Sequence, residues 1–303
     1  MVTKEFLEAV REIPGLHIQE NYRMENATTF KIGGPADVFV EADNKKSLAS
    51  LIILCREECV PFFLLGAGSN LLVSDAGMDG VVCRLSDEFD EVIVSGNTIT
   101  AGAAVSLAKL ARAAQKSGLS GLEFASGIPG TLGGAIYMNA GAYGGEMKDV
   151  VTETEYMDAS GHLHIVCGEE HDFSYRHSMF CNHPEYTILS VKMHLASKDP
   201  DAIMETMRDL NARRKEKQPL DKPSAGSTFK RPEGYFAGKL IEDAGLKGCA
   251  VGGASVSVKH SGFVVNDGGA TCEDVCRLIK KVQDTVKEQF GVDLETEVKV
   301  IGR

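Results

Sequence analysis

Two glycine-rich stretches carry the residues best suited to hold a ligand by its backbone. Gly66-Ala67-Gly68-Ser69-Asn70 lies between the apolar runs PFFLL and LLVSD. Gly127-Ile128-Pro129-Gly130-Thr131-Leu132-Gly133-Gly134 falls inside the densest glycine region, residues 121–145, which holds eight glycines in 25 residues and little charge. Glycine lets the backbone adopt positive φ, and successive N–H groups freed in this way can line an anion-binding concavity without any lysine. A diphosphate suits two such loops. Other phosphate grips fit less well. GAGSN lacks the third glycine of a dinucleotide fingerprint and feeds a strand rather than a helix, and no GxxxxGK[ST] occurs. Among the cations, Arg176 has a planar fork that can meet a carboxylate with two parallel hydrogen bonds. Lys217 is the best single candidate for a phosphate; Arg213 and Arg214 are weaker, because a charge run at a helix end more often pairs with the helix dipole or with water.

The rest of the composition narrows the class. The chain has 303 residues, which at roughly 150 per domain suggests two domains. It is 43% hydrophobic and 25% charged, an ordinary globular balance. A net charge of −11 argues against nucleic acid as partner, because phosphate backbones need a basic field. No apolar run approaches the ~18 residues of a membrane span, and the N-terminal segment does not read as a signal peptide. A cytoplasmic protein is expected. The eight cysteines contain no CxxC and no histidines at ligand spacing, so reduced thiols and no metal are expected.

Periodicity then gives the elements that must position these residues. Residues 44–59 read as an amphipathic helix, with Leu48, Leu51, Ile52, Cys55 and Cys59 on one face. PFFLL, LLVSD, 80–85 and 91–102 read as strands, the last folded at Ser95-Gly96-Asn97. A helix follows over 105–117, closed by Gly118. Strands are expected at 151–158, 162–167 and 186–196, then a helix from Asp199-Pro200 to about Lys217. Residues 218–236, rich in Pro, Gly and Ser, read as a domain junction. Beyond it lie a short helix near 237–244 and strands at 254–258 and 262–265. Thr271 and Asp274 have capping-box spacing ahead of a helix ended by Gly291. In the last strand, 294–301, alternation puts Leu294, Thr296, Val298 and Val300 on one face and Glu295, Glu297 and Lys299 on the other.

Several segments together resemble one known family, the UDP-N-acetylenolpyruvoylglucosamine reductases. They are NATTFKIGGPADVFVEA, LGAGSNLLVSDAG, GLEFASGIPGTLGGAIYMNAGAYGGEM, FSYRHSMF, AGSTFKRPEG with AGKLIEDAGLKG, and LETEVKVIG, in the family's order and over nearly the whole chain. The resemblance implies an α+β fold: a two-subdomain FAD-binding domain of the vanillyl-alcohol-oxidase type over 1–197, its subdomains about 1–83 and 84–197. A substrate-binding domain would follow over 198–303. It also implies one non-covalent FAD, NADPH as co-substrate, and the enolpyruvyl ether of UDP-N-acetylglucosamine as substrate, in a monomer or weak oligomer. The residues themselves do not discriminate NADPH from NADH. FSYRHSMF runs through a short link into a strand, which places the chain in the form lacking the inserted substrate loop. Arg231 after Lys230, where the longer form has Asn, agrees with that.

The same resemblance assigns roles. Arg176 holds the substrate carboxylate, Ser227 donates a proton, and Glu297 assists at the developing enolate. The cofactor residues are Gly66, Ala67, Gly68, Ser69, Asn70, Gly127, Pro129, Gly130, Thr131, Gly133, Gly134, Asn139, Ala140 and Gly141. Tyr175, Lys217 and Arg213 are assigned to substrate.

Overall fold

The computed structural model describes residues 2–303. The chain forms two compact units, each with its own apolar core. The first comprises residues up to Glu20, Val38–Ala67 and Gly80–Arg213; the second comprises Asn21–Asp37, Gly68–Asp79 and Arg214–Arg303.

The first unit is dominated by a five-stranded antiparallel sheet, ordered Leu163–Cys167, Val151–Met157, Thr187–His194, Thr98–Gly102, Val92–Ser95. The hairpin foreseen at 91–102 forms, with Ser95 opposite Thr98 and Gly96 at φ +57° in the turn. A four-stranded sheet has the order Leu16–Arg23, Pro35–Ala42, Met78–Leu85, Phe62–Leu65, the last pair parallel. Residues 21–23, 35–37 and 78–79 of those strands are counted with the second unit. Helix Lys45–Glu57 is capped by Asn44, whose side chain accepts from the Ser47 N–H at 3.0 Å. Leu48, Leu51, Ile52 and Cys55 are buried as the periodicity requires. Cys59 is not on that face. It lies past the helix end at φ +53°, exposed, because the helix stops at Glu57. Ser106 caps helix Leu107–Lys116, and Gly118 ends it at φ +66°. The glycine-rich region, unassigned by periodicity, contains the short helix Leu132–Tyr137 and a tight hairpin, Gly141–Ala142 with Gly145–Glu146.

The second unit holds a three-stranded antiparallel sheet, Ala250–Val251, Ala254–Val256 and Val264–Asn266, with helices Ala237–Asp243 and Cys272–Phe290. The capping box is present in both directions between Thr271 and Asp274, and Gly291 closes the helix at φ +70°. Val275, Leu278, Ile279, Val282 and Val286 are all buried.

The units are cut differently from a linear division near residue 197. Residues 198–213 cluster with the first unit, and 21–37 and 68–79 with the second. The physical reason is a set of long-range bonds. The Asp75 carboxylate accepts from the N–H groups of Cys272 (2.8 Å) and Glu273 (3.1 Å), a second acidic cap on the long helix. Lys299–Ile301 pairs in parallel with Leu71–Val73. Arg303 forms ion pairs with Asp37 and Asp79. Accordingly, residues 218–236 are a loop built into the second unit, not a junction, with Ser224 bridged to Val265 and Phe229 to Thr296. The terminal strand is also shorter than its pattern. Regular pairing covers only Lys299–Ile301, and Val300 is 52% exposed while Leu294 and Val298 are buried. The alternation therefore fails at its last position.

All eight cysteines are free thiols. Among the described residues no group of His, Cys, Asp and Glu could hold a metal ion, and no helix is long and apolar enough to cross a membrane.

Candidate active site

In the first unit the two glycine-rich loops meet. A Cβ built on Gly66 would lie 2.7 Å from the Thr131 hydroxyl oxygen, closer than side chains tolerate. Thr131 in turn caps the short helix, its hydroxyl accepting from the Gly134 N–H at 3.4 Å. The second loop does not work as the sequence suggests. None of Gly127, Gly130, Gly133 and Gly134 has a positive φ. The N–H groups of Leu132 and Gly133 are bonded to the carbonyls of Val105 (2.8 Å) and Ala103 (2.9 Å). Gly133 makes a close approach: an added Cβ would sit 3.0 Å from the Ala103 Cβ, a tight contact.

GAGSN differs. The backbone N–H groups of Ala67, Gly68 and Ser69 bond to no other group among the described residues. Gly68 has φ +62°, and its position admits no side chain, because a Cβ would meet the Ala27 carbonyl oxygen at 2.2 Å. These are the unengaged amides that an anion could use.

Arg176 sits at the tip of a two-residue turn. Ser174 and His177 exchange N–H···O bonds of 3.1 and 3.2 Å, and Arg176 has φ +56°. Its guanidinium donates to the Gly141 carbonyl at 3.4 Å and lies 5.1 Å from the centroid of the Tyr175 ring. The tyrosine assigned to substrate is thus also the arginine's own platform. Asn139 is fully buried at φ +43°, and its carboxamide bonds to Glu146, Ser174 and Lys148. The Ala140 backbone is likewise engaged, its N–H donating to Ala135 and its carbonyl accepting from Met147. Just upstream, His171 is buried, with Nδ1 on the Gly168 carbonyl (3.0 Å) and Nε2 on the Thr154 hydroxyl (2.9 Å). Burial lowers its pKa below the usual histidine range.

In the second unit Ser227 and Glu297 lie on paired backbone. The Glu297 N–H donates to the Thr228 carbonyl at 2.8 Å, and the Lys230 N–H to the Glu295 carbonyl at 2.9 Å. Both side chains are half-buried. Asn70 bonds the same segment at two points: its Nδ2 donates to the Glu297 carbonyl (3.1 Å), and its carbonyl accepts from Lys299 (2.9 Å). The end of GAGSN is therefore fixed to the terminal segment that carries Glu297 and leads into the last strand.

The charge run sorts differently from its order in the sequence. Arg213 is exposed and paired with Asp209 at 2.7 Å, and Lys217 is exposed at the helix end. Arg214 is the buried cation of the three, at 8% exposure. The acids Glu146 and Asp75 were not singled out by motif. Only their positions among glycines and ahead of a strand marked them, and neither pattern is specific.

Comparison with known proteins gives the family. Residues 36–166 match the family described as FAD binding domain, and 218–301 match UDP-N-acetylenolpyruvoylglucosamine reductase, C-terminal domain. The chain is 54% identical over 282 residues to the UDP-N-acetylenolpyruvoylglucosamine reductase of Caldanaerobacter subterraneus, covering 93% of each chain. It is 50% identical to that of Clostridium novyi, covering 94% of this chain and 92% of the other. The chain belongs to the UDP-N-acetylenolpyruvoylglucosamine reductase family. It is an oxidoreductase of that family, with an α+β fold carrying an FAD-binding domain and a C-terminal reductase domain. The crystal structure of the Thermus caldophilus reductase superimposes with a TM-score of 0.82 at 36% identity, covering 94% of this chain and 99% of that one.

The residues present fit such a flavin coenzyme. A diphosphate needs amide donors and no side chain in the way, and the unengaged N–H groups at Ala67, Gly68 and Ser69 with the glycine contact at Gly66 supply both. Two of the buried thiols are held in the neutral form. Burial pushes Cys55 up to about 12 and Cys83 higher still, so neither is a thiolate at neutral pH.

Proposed function

We propose that the chain reduces the enolpyruvyl double bond of UDP-N-acetylglucosamine enolpyruvate to give UDP-N-acetylmuramate, a peptidoglycan precursor, in the cytoplasm. The observation that carries this reading is 54% identity over 93% of the chain to a reductase of that name. Residues 66–70, 127–134 and 140–141 would hold a non-covalent FAD, which when bound would supply a two-electron carrier between NADPH and C3 of the substrate. In this reading residues 1–197 bind the coenzyme and 198–303 the substrate.

The chain's own residues handle the charge and the proton. Hydride at C3 pushes the double-bond electrons toward the carboxylate, so negative charge grows there as the step proceeds. Arg176 meets it with two parallel N–H donors, and a donor held in place beforehand stabilises the transition state more than the ground state. Glu297 assists the same enolate. Ser227 delivers the proton to C2, completing the C–H bond, and is reprotonated from solvent. A serine hydroxyl is a weak acid, so it acts only beside the strongly basic enolate. Tyr175, Lys217 and Arg213 contact the rest of the substrate.

A two-step anaerobic spectrum tests this. The purified protein is yellow, NADPH bleaches it, and the enolpyruvyl nucleotide restores the colour with formation of the muramate product. A colourless protein that binds no FAD, or bleached flavin that the nucleotide does not reoxidise, overturns the reading.

A further inference from the structure

We infer that Asn139 is the positioning residue that sets the guanidinium of Arg176. The inference rests on the reading of Arg176 as the partner of the substrate carboxylate. Asn139 has no exposed surface, and every polar atom of its carboxamide is engaged within the protein. Its Nδ2 donates to the Ser174 carbonyl at 3.0 Å and to Glu146 Oε2 at 2.9 Å, and its Oδ1 accepts from the Lys148 N–H at 3.0 Å. Both donor hydrogens of the carboxamide are thus committed within the protein.

Its two donors join the two pieces that border the guanidinium. Ser174 is the base of the turn whose tip is Tyr175-Arg176. Glu146 ends the hairpin in which Gly141 supplies the carbonyl that Arg176 reaches. The Arg176 backbone is in the left-handed region, which an arginine does not choose by itself, so the turn must be held from outside. A side chain held this way keeps its donors aimed before substrate arrives, and a misplacement of about 1 Å can cost ~100-fold in rate.

Asn139→Gly tests this, because glycine keeps the positive φ without strain while removing the brace. Asn139→Asp is the second variant. It keeps the acceptor but sets a carboxylate against Glu146 and the Ser174 carbonyl. Each is compared with Arg176→Ala and with the double variant. Flavin content, bleaching by NADPH, reoxidation by the enolpyruvyl nucleotide of flavin reduced with dithionite, and tryptic nicking after Arg176 are measured.

Both variants should keep their flavin and their bleaching rate, slow reoxidation by at least ~10-fold, and be nicked faster after Arg176. In the double variant Asn139→Gly/Arg176→Ala, reoxidation should be no slower than in Arg176→Ala alone. If the two losses multiply, if bleaching slows equally, or if flavin is lost, Asn139 acts on the coenzyme or the fold and the inference is wrong. If Arg176→Ala itself reoxidises normally, the underlying reading of Arg176 fails instead.

Discussion

The surroundings of Arg176 and those of Ser227 and Glu297 are built on different principles. Arg176 stands in the left-handed region on a two-residue turn that is closed by the Ser174–His177 backbone pair and braced by the buried Asn139 carboxamide. Ser227 and Glu297 flank the backbone bridge between Phe229 and Thr296, with Asn70 bonded to the terminal segment at two points. A backbone ladder does not depend on which side chains it carries. A turn propped by side chains does. Substitutions around Arg176 should therefore disturb chemistry at a distance of several residues, whereas around Glu297 only the acting side chains should matter.

The largest effects should come from the acting side chains in both regions. Arg176→Ala and Glu297→Gln should each keep bound flavin and slow reduction of the enolpyruvyl substrate by at least ~100-fold, the scale of losing one preorganised donor. Single-turnover absorbance of the flavin measures this. Equal losses would show that the two supports, though differently built, deliver equally placed groups. A loss in only one of them would break the symmetry.

Ser227→Ala should come next. Bleaching by NADPH should proceed at the normal rate, and reoxidation by the nucleotide should fall by about 100-fold. The ladder through Thr228 and Glu297 uses backbone atoms only, so the variant should melt at the temperature of the unaltered protein. If bleaching were also stopped, Ser227 would not be the proton donor.

Where sequence reading succeeded and where it stopped follows the same divide. Local signals carried helix Cys272–Phe290, because Thr271, Asp274 and Gly291 act within a few residues of its ends. They carried the hairpin at Gly96 for the same reason. The pairing of Lys299–Ile301 with Leu71–Val73 joins segments more than two hundred residues apart, and nothing in either segment announces the other. That pairing, with Asp75 on the long helix, interleaves the units and shortens the terminal strand relative to its pattern. In the site, GIPGTLGG was legible as a glycine-rich loop, but the reason for its glycines was not. Composition cannot distinguish a glycine that needs positive φ, such as Gly68, from one that makes a close approach, such as Gly133 beside Ala103. Asn139 was visible as part of the coenzyme segment, while its three partners became apparent only with the fold.

A milder test of the backbone-held region is Asn70→Ala. It removes the hydrogen bond from Nδ2 to the Glu297 carbonyl but leaves the one between Lys299 and the residue-70 carbonyl. One neutral hydrogen bond is worth about 1 kcal/mol. Reoxidation should slow by no more than about fivefold. A loss as large as that of Glu297→Gln would mean that the terminal strand is held by this side chain rather than by its backbone.

The smallest expected effect is a difference in response to acid. His171 lies in the segment leading to the Arg176 turn, buried, stacked on Phe173 at 4.7 Å, with both ring nitrogens engaged. A neutral ring satisfies both contacts when Nδ1–H donates to Gly168 and Nε2 accepts from the Thr154 hydroxyl. Burial opposes the charged form and outweighs the pull of Glu170, so the folded pKa lies below the ordinary value of 6.5. The unfolded chain then takes up the proton first as pH falls. The contribution of His171 is full above 6.5 and declines from there down to the folded pKa. Urea titrations at pH 7.5, 6.5 and 5.5 should show stability falling across the lower interval in the unaltered protein. His171→Phe should be less stable at pH 7.5, since it leaves Thr154 and Gly168 unpaired, yet its stability should change less between pH 6.5 and 5.5. If both proteins lost stability in parallel, other histidines would carry the response, and the turn region would not be the acid-sensitive one.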